Sequence, residues 1–106
     1  VYDWEGAGAA VFRGVQLRPV TPRGLVIDAD DLRAGFRSPS RYAPRASAVA
    51  LENTHNGAGG AVTSVASLAA LAETARAQGC AVHLDGARLW NAAVAAQVAP
   101  ADFAGL

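Results

Sequence analysis

The sequence predicts an α/β fold with a mainly parallel sheet and crossover helices. Residues 46–51 and 81–84 are short apolar runs of strand length, and each is followed by a segment whose apolar residues have helical spacing. The connections between these segments are short. Strand–helix–strand–helix order with short connections is typical of a parallel sheet with right-handed crossovers.

The chain is expected to begin with a short helix and a strand. Residues 6–12 are small and apolar and predict the helix, whereas residues 15–20 alternate between apolar and polar side chains, as a strand does. Because Pro19 and Pro22 lack an N–H group, we expect this strand at a sheet edge or near its end.

A second helix, a loop and a buried strand are predicted next. Asp28 or Asp30 caps a helix that continues to about Phe36, since a carboxylate at a helix start accepts hydrogen bonds from free N–H groups. Residues 38–44 form a loop. Residues 46–51 are apolar without clear alternation, which predicts a strand covered on both faces.

The rest of the chain predicts a helix, a strand and a helix. The first helix runs from about Ser64 or Ser67 to Gln78, and Gly79, a residue type common at helix ends, is its predicted C-cap. Residues 81–84 form the strand, and residues 88–97 return to helical spacing. The buried faces of the two helices are predicted to consist of Leu68, Leu71, Ala72 and Ala75, and of Leu89, Ala92, Ala93 and Ala96.

The composition predicts one small globular unit without a highly charged partner. The chain has 106 residues, of which 52% are hydrophobic and 17% charged. Nine basic and nine acidic residues cancel, so no net charge attracts nucleic acid or an anionic membrane. No apolar stretch reaches the ~20 residues that span a bilayer. The single cysteine, Cys80, excludes an internal disulfide and is expected to be buried.

Two residue types are missing. The chain has no methionine at its start, and all nine basic residues are arginine, so it contains no lysine. Both ends fall beside segments with an ordered pattern and carry no polar tail. We therefore expect residues 1–106 to be an internal piece of a longer protein, truncated at both ends.

Polar residues are densest where two predicted strands end. Residues 52–56 follow the first strand, and residues 85–88 follow the second. Ligands of open α/β sheets bind beyond the carboxyl ends of the strands, so Asp85 and Arg88 could face one cavity there. The alternative is that Asp85 caps the next helix and Arg88 is a solvated residue of its first turn.

Three segments resemble one enzyme family. They are residues 2–11 (YDWEGAGAAV) continued by 14–16 (GVQ), residues 51–57 (LENTHNG) and residues 83–93 (HLDGARLWNAA). In this order and at this separation they are similar to the low-specificity threonine aldolases, which are fold-type I pyridoxal 5′-phosphate (PLP) enzymes related to tyrosine phenol-lyase and tryptophanase. The resemblance covers essentially the whole chain. It implies that residues 1–106 are part of the large PLP-binding domain, an incomplete three-layer α/β/α structure.

The resemblance implies three cofactor-binding residues. Asp85 would hold the proton on the pyridine nitrogen of PLP, so that the ring can accept electrons from the substrate Cα. Arg88 resembles the family arginine that contacts the ring-oxygen side of the cofactor and the substrate carboxylate, a task suited to its planar set of donors. Asn56 is similar in position to the asparagine that donates to the phenolic oxygen of the cofactor.

Three further residues have two interpretations each. His55 could move a proton to or from the substrate hydroxyl, or it could stabilise its loop. His83 lies two residues before Asp85 and hence on the same strand face, so it could approach the cofactor or serve as a hydrogen-bonded structural residue. Glu5 could orient an active-site group or cap the helix that begins near Gly6. No metal site is predicted.

The chain also departs from the family pattern. Tyr42 stands where the family usually carries a histidine, which alters a substrate-side contact. The family's stacking histidine would precede Val1, and its Schiff-base lysine would follow Leu106. Because no lysine is present to bind PLP covalently, we expect residues 1–106 alone to be catalytically inactive.

The resemblance implies a carbon–carbon lyase. Its substrate would be a small β-hydroxy-α-amino acid, threonine or allo-threonine, which is cleaved to glycine and an aldehyde. The complete enzyme would be a soluble, cytoplasmic homotetramer with neither a nucleic-acid nor a membrane partner. Two alternatives stay open: a β-eliminating lyase of the tyrosine phenol-lyase or tryptophanase type that uses the same Asp85 and Arg88, and a non-catalytic module that retains the fold.

Overall fold

Five α-helices and a two-stranded parallel sheet make up the described part of the chain. The structure is a computed structural model that describes residues 2, 5–38 and 40–106. The order β1–α3–β2–α4 confirms the predicted alternation of strands and helices. The elements are α1 (Gly8–Arg13), α2 (Ala29–Gly35), β1 (Ala48–Glu52), α3 (Val65–Ala77), β2 (Ala81–Asp85), α4 (Leu89–Ala96) and α5 (Pro100–Ala104).

The sheet is covered on one face only within the described residues. β1 and β2 pair in parallel, from Ala48 opposite Ala81 to Glu52 opposite Asp85. On one face, apolar side chains belong to or pack against the buried cluster that includes residues of α3 and Phe103 of α5. The opposite face is exposed at Ala48, Ala50, Ala81 and His83. The predicted coverage of β1 on both faces is therefore wrong here, and two of the three expected layers are present. The covered side chains are Val49, Leu51, Val82 and Leu84.

The helix α3 supplies much of the core and begins and ends close to the predicted residues. Ser64 is its N-cap, and the Ser64 hydroxyl accepts a hydrogen bond from the backbone N–H of Ser67 at 3.1 Å. At the other end Gly79 has a φ of +70°, which only glycine adopts readily, and its N–H donates to the carbonyl of Arg76. Cys80 is buried, as predicted. All four residues of the predicted apolar face are buried together with Phe103 of α5: Leu68, Leu71, Ala72 and Ala75.

The start of α2 is held by an arginine and two carboxylates. Asp28, one of the two predicted caps, accepts a hydrogen bond from the N–H of Asp31 at 2.8 Å. The Asp31 carboxylate is buried and accepts from Arg23 Nε at 2.5 Å and from the N–H of Asp28 at 3.2 Å. Burial by itself raises the pKa of Asp31, but the hydrogen bonds and the charge of Arg23 outweigh it, so the pKa lies below its usual value.

We expect this carboxylate to make stability depend on pH in acid. A carboxyl whose pKa is lower in the folded state than in the unfolded state stabilises the fold above its unfolded pKa of about 3.9. This stabilisation disappears as the pH falls through the folded pKa. In urea unfolding of the complete protein, the advantage of wild type over Asp31→Asn should shrink from about pH 5 downward. Asp30→Asn, at an exposed position of the same helix whose carboxylate pairs with Arg33, is the comparison variant measured in parallel. An Asp31→Asn difference that stays constant with pH would contradict this account.

Residues 15–20 do not form the predicted strand. They have no regular secondary structure, since neither described strand pairs with them and Pro19 lacks an N–H to donate. Val20 instead packs against α2, where a Cβ at Gly35 would come within 2.8 Å of Val20 Cγ2.

Smaller differences concern the helices and the loop before β1. The first helix spans Gly8–Arg13 rather than residues 6–12, and α5 is additional to the predicted elements. Residues 38 and 40–44 lie in the predicted loop, whereas Pro39, Val1, Asp3 and Trp4 lie outside the described residues. Among the described helices, none is long and apolar enough to cross a membrane.

Candidate functional site

Two carboxylates lie side by side where the strands end. Glu52 is the last residue of β1 and pairs with Asp85, the last residue of β2. The N–H of Asn53 donates to the carbonyl of Asp85 at 3.1 Å and extends the pairing by one residue. Paired residues of a parallel sheet point to the same face, so both carboxylates lie on the face that also carries His83. The two polar segments that follow the strands therefore begin side by side.

The Glu52 carboxylate joins the two polar segments. Its Oε1 atom accepts a hydrogen bond from the backbone N–H of Asn56 at 3.2 Å and one from Arg88 Nη1 at 3.3 Å. The side chains of Glu52 and Arg88 are 32% and 43% exposed, so a ligand in this region can reach the arginine. The contact between these strand ends brings the predicted residues Arg88 and Asn56 together.

Asp85 begins the turn that leads from β2 to α4. Its Oδ1 atom accepts a hydrogen bond from the N–H of Ala87 at 3.1 Å, and the residue is half-buried. The N-cap of α4 is Arg88, which makes no side-chain capping bond. The alternative interpretation of Asp85 as the cap of α4 is therefore wrong. Among the ion pairs of the described residues, Arg88 contacts Glu52 and none involves Asp85.

A buried asparagine shapes the loop beside the site. Asn53 is fully buried, and its side-chain amide makes two hydrogen bonds of 3.1 Å with the backbone of Thr63, one to the carbonyl and one from the N–H. The N–H of His55 donates to the carbonyl of Ala61 at 2.8 Å across the same loop. These bonds bring the two ends of the loop together and hold the segment that presents His55 and Asn56.

The other predicted site residues lie at different places around the strand ends. His55 is half-buried and precedes a short 3-10 turn, Asn56–Ala58, and the Asn56 side chain is exposed. His83 is exposed on the outer sheet face opposite Ala50. Glu5 is exposed before α1, whose N-cap is Ala7, so its capping interpretation is wrong.

Sequence reasoning missed the roles of Glu52 and Asn53. A signal existed for Glu52, because it ends β1 at the position that Asp85 occupies in β2, and parallel pairing places such residues together. For Asn53, the partner Thr63 is ten residues away with a loop between them, and no local pattern marks such a contact.

The fold and the site define an α/β protein whose polar residues gather at the carboxyl ends of parallel strands, where such folds bind ligands. The chain belongs to the beta-eliminating lyase family, whose sequence profile matches residues 1–105.

Three relatives show similarity across nearly the whole chain. Low-specificity L-threonine aldolase 1 of Arabidopsis thaliana is 33% identical over 98 residues, covering 90% of this chain and 27% of the relative. A probable low-specificity L-threonine aldolase of Schizosaccharomyces pombe is 32% identical over 106 residues, covering 97% and 27%. An uncharacterized protein of Caenorhabditis elegans is 32% identical over 97 residues, covering 90% and 23%. The chain thus spans about a quarter of the length of these relatives, and the resemblance to threonine aldolases is confirmed.

Proposed function

We propose that the chain is part of the PLP-binding domain of a longer lyase that cleaves a β-hydroxy-α-amino acid to glycine and an aldehyde. One observation carries the proposal: Asp85 is half-buried at a strand end and, among the described residues, has no cationic partner, although Arg88 is three residues away. Such a carboxylate is suited to a cation supplied by a ligand. The names of two aldolase relatives support the substrate class.

The residues at the strand ends fit PLP. Its protonated pyridine nitrogen needs an anionic acceptor. Of the two carboxylate oxygens of Asp85, Oδ1 accepts a hydrogen bond from the N–H of Ala87, whereas Oδ2 accepts none from the described residues and is available. Both the cofactor and an amino acid substrate carry anionic groups. Arg88 offers several N–H donors, of which Nη1 contacts Glu52.

Each residue then has a defined task in the proposed reaction. When bound, PLP supplies an electron-accepting ring for the charge left on the substrate Cα when the Cα–Cβ bond breaks. Asp85 keeps the ring nitrogen protonated, and Arg88 binds the substrate carboxylate. Asn56 donates to the phenolic oxygen, and His55 takes the proton of the β-hydroxyl group.

Other parts of the proposed enzyme lie outside this chain or farther from Asp85. The chain has no lysine, so we place the covalent lysine, like the stacking histidine, elsewhere in the complete protein. His83, on the same sheet face as Asp85, is proposed to lie near the cofactor, and Glu5 to orient a group of the site. We further propose a cytoplasmic homotetramer and no nucleic-acid or membrane partner.

Product analysis tests the proposed reaction. The complete protein, supplied with PLP and threonine or allo-threonine, is expected to release glycine and acetaldehyde in equal amounts. A β-eliminating lyase, the second candidate because the matched family carries that name, would instead release a 2-oxo acid and ammonia. Glycine formation without PLP, or no turnover of any β-hydroxy-α-amino acid with PLP, would contradict the proposal. The latter result would favour a non-catalytic module.

A further inference from the structure

We propose that Glu52 is a positioning residue that orients the guanidinium group of Arg88 towards an anionic group of the cofactor or substrate. This inference rests on the proposed function and concerns a residue that contacts Arg88 rather than the reacting atoms. It assigns different tasks to the two carboxylates at the strand ends: Asp85 receives the ligand cation, and Glu52 holds the arginine.

The backbone fixes where the Glu52 carboxylate lies. Glu52 is the last residue of β1, and the pairing of Asn53 N–H with the Asp85 carbonyl prevents its strand from sliding relative to β2. The hydrogen bond from the N–H of Asn56 to Oε1 then restricts the side chain. The same Oε1 atom contacts Arg88 Nη1 at 3.3 Å, so the rigid strand end sets the position of a long, otherwise flexible side chain.

The location of the pair favours a role in binding over a role in stability. Both side chains are about one-third to two-fifths exposed, and ion pairs that water can reach contribute little to folding stability. Arg88 is the N-cap of α4 but its side chain makes no capping bond, so the helix does not require that side chain. The pair instead determines where the guanidinium group of Arg88, three residues after Asp85, points.

The geometry leaves donors for a ligand. A guanidinium group carries five N–H donors in a planar arrangement, and a contact to one nitrogen leaves the others unused. In the described part of the chain, the Glu52 contact is the only side-chain hydrogen bond of Arg88. With Nη1 on Glu52, the remaining donors can bind an oxygen anion, and one end of the group is already held. Less side-chain entropy is then lost when the ligand binds.

The test measures PLP affinity and kinetics of the complete protein. The apoprotein is titrated with PLP, followed by the visible absorbance of the bound cofactor, for wild type, Glu52→Ala, Arg88→Ala and the double variant. We expect Glu52→Ala to raise the Kd of PLP or the KM of the amino acid by about tenfold, a typical coupling between contacting charged groups. In the Arg88→Ala background, the same change should have less than a twofold effect, because Glu52 acts through Arg88.

Further variants separate positioning from folding. Glu52→Gln keeps the size of the side chain and one acceptor oxygen, so it should fold and show a smaller effect than Glu52→Ala. Glu73→Ala, which removes an exposed glutamate on α3, is the matched control and should equal wild type. If Glu52→Ala and Glu52→Gln keep wild-type Kd and KM, or if the Glu52 and Arg88 effects multiply, the inference is wrong while the proposed function stands. A wild-type protein that binds no PLP would overturn both.

Discussion

Replacing Asp85 with alanine in the complete protein is expected to lower the proposed aldolase turnover by about 10²–10³-fold. The carboxylate lies at the end of β2, where the sheet holds it rigidly, and it has no cationic partner among the described residues. In the proposed enzyme, loss of this anion lets the cofactor nitrogen lose its proton more easily, and the ring accepts electrons less well. Turnover is measured as glycine released from threonine at saturating PLP, so that weaker cofactor binding does not dominate the result.

Two variants make the Asp85 experiment specific. Asp85→Glu keeps the negative charge and should retain part of the activity, whereas Asp85→Asn keeps the shape but not the charge and should behave like Asp85→Ala. Asp30→Ala removes an exposed aspartate of α2 and serves as the control for a general loss of acidic side chains. Near-normal turnover by Asp85→Ala would show that the cofactor nitrogen is held by another group.

The largest stability effect is expected at Asn53. In Asn53→Ala, the buried N–H and carbonyl of Thr63 both lose their partner, and each unsatisfied buried group costs about 1–3 kcal/mol. For the two groups together we therefore expect the free energy of unfolding to fall by about 2–6 kcal/mol. Urea unfolding of the complete protein measures this loss, and hydrogen–deuterium exchange around Thr63 should become faster.

An exposed asparagine provides the control for this prediction. Asn91 lies on the surface of α4, and Asn91→Ala should change the free energy of unfolding by less than about 0.5 kcal/mol. If Asn53→Ala leaves both the urea midpoint and the exchange around Thr63 at wild-type values, the two hydrogen bonds do not hold the loop. His55 and Asn56 would then need another means of support.

The helices and strands that could be predicted are those specified by residues close to one another in the sequence. The apolar face of α3, the serine at its start and the glycine after its end all lie within one stretch of chain, and each was found where expected. The strand prediction at residues 15–20 was wrong because a strand depends on a partner that is distant in the sequence. An alternating pattern only permits a strand, whereas a neighbouring strand must provide the hydrogen bonds, and the sequence does not show which neighbour exists.

The sequence by itself determined the α/β class, the family and the position of Asp85 at a strand end, because apolar spacing and the segments at 51–57 and 83–93 are local features. Only the tertiary structure decided which acid Arg88 contacts. Asp85 is three residues from Arg88 and Glu52 is 36 residues away, yet the ion pair forms with Glu52. The physical reason is the parallel register, which places the ends of β1 and β2 side by side, while the turn after β2 binds Asp85 to the N–H of Ala87.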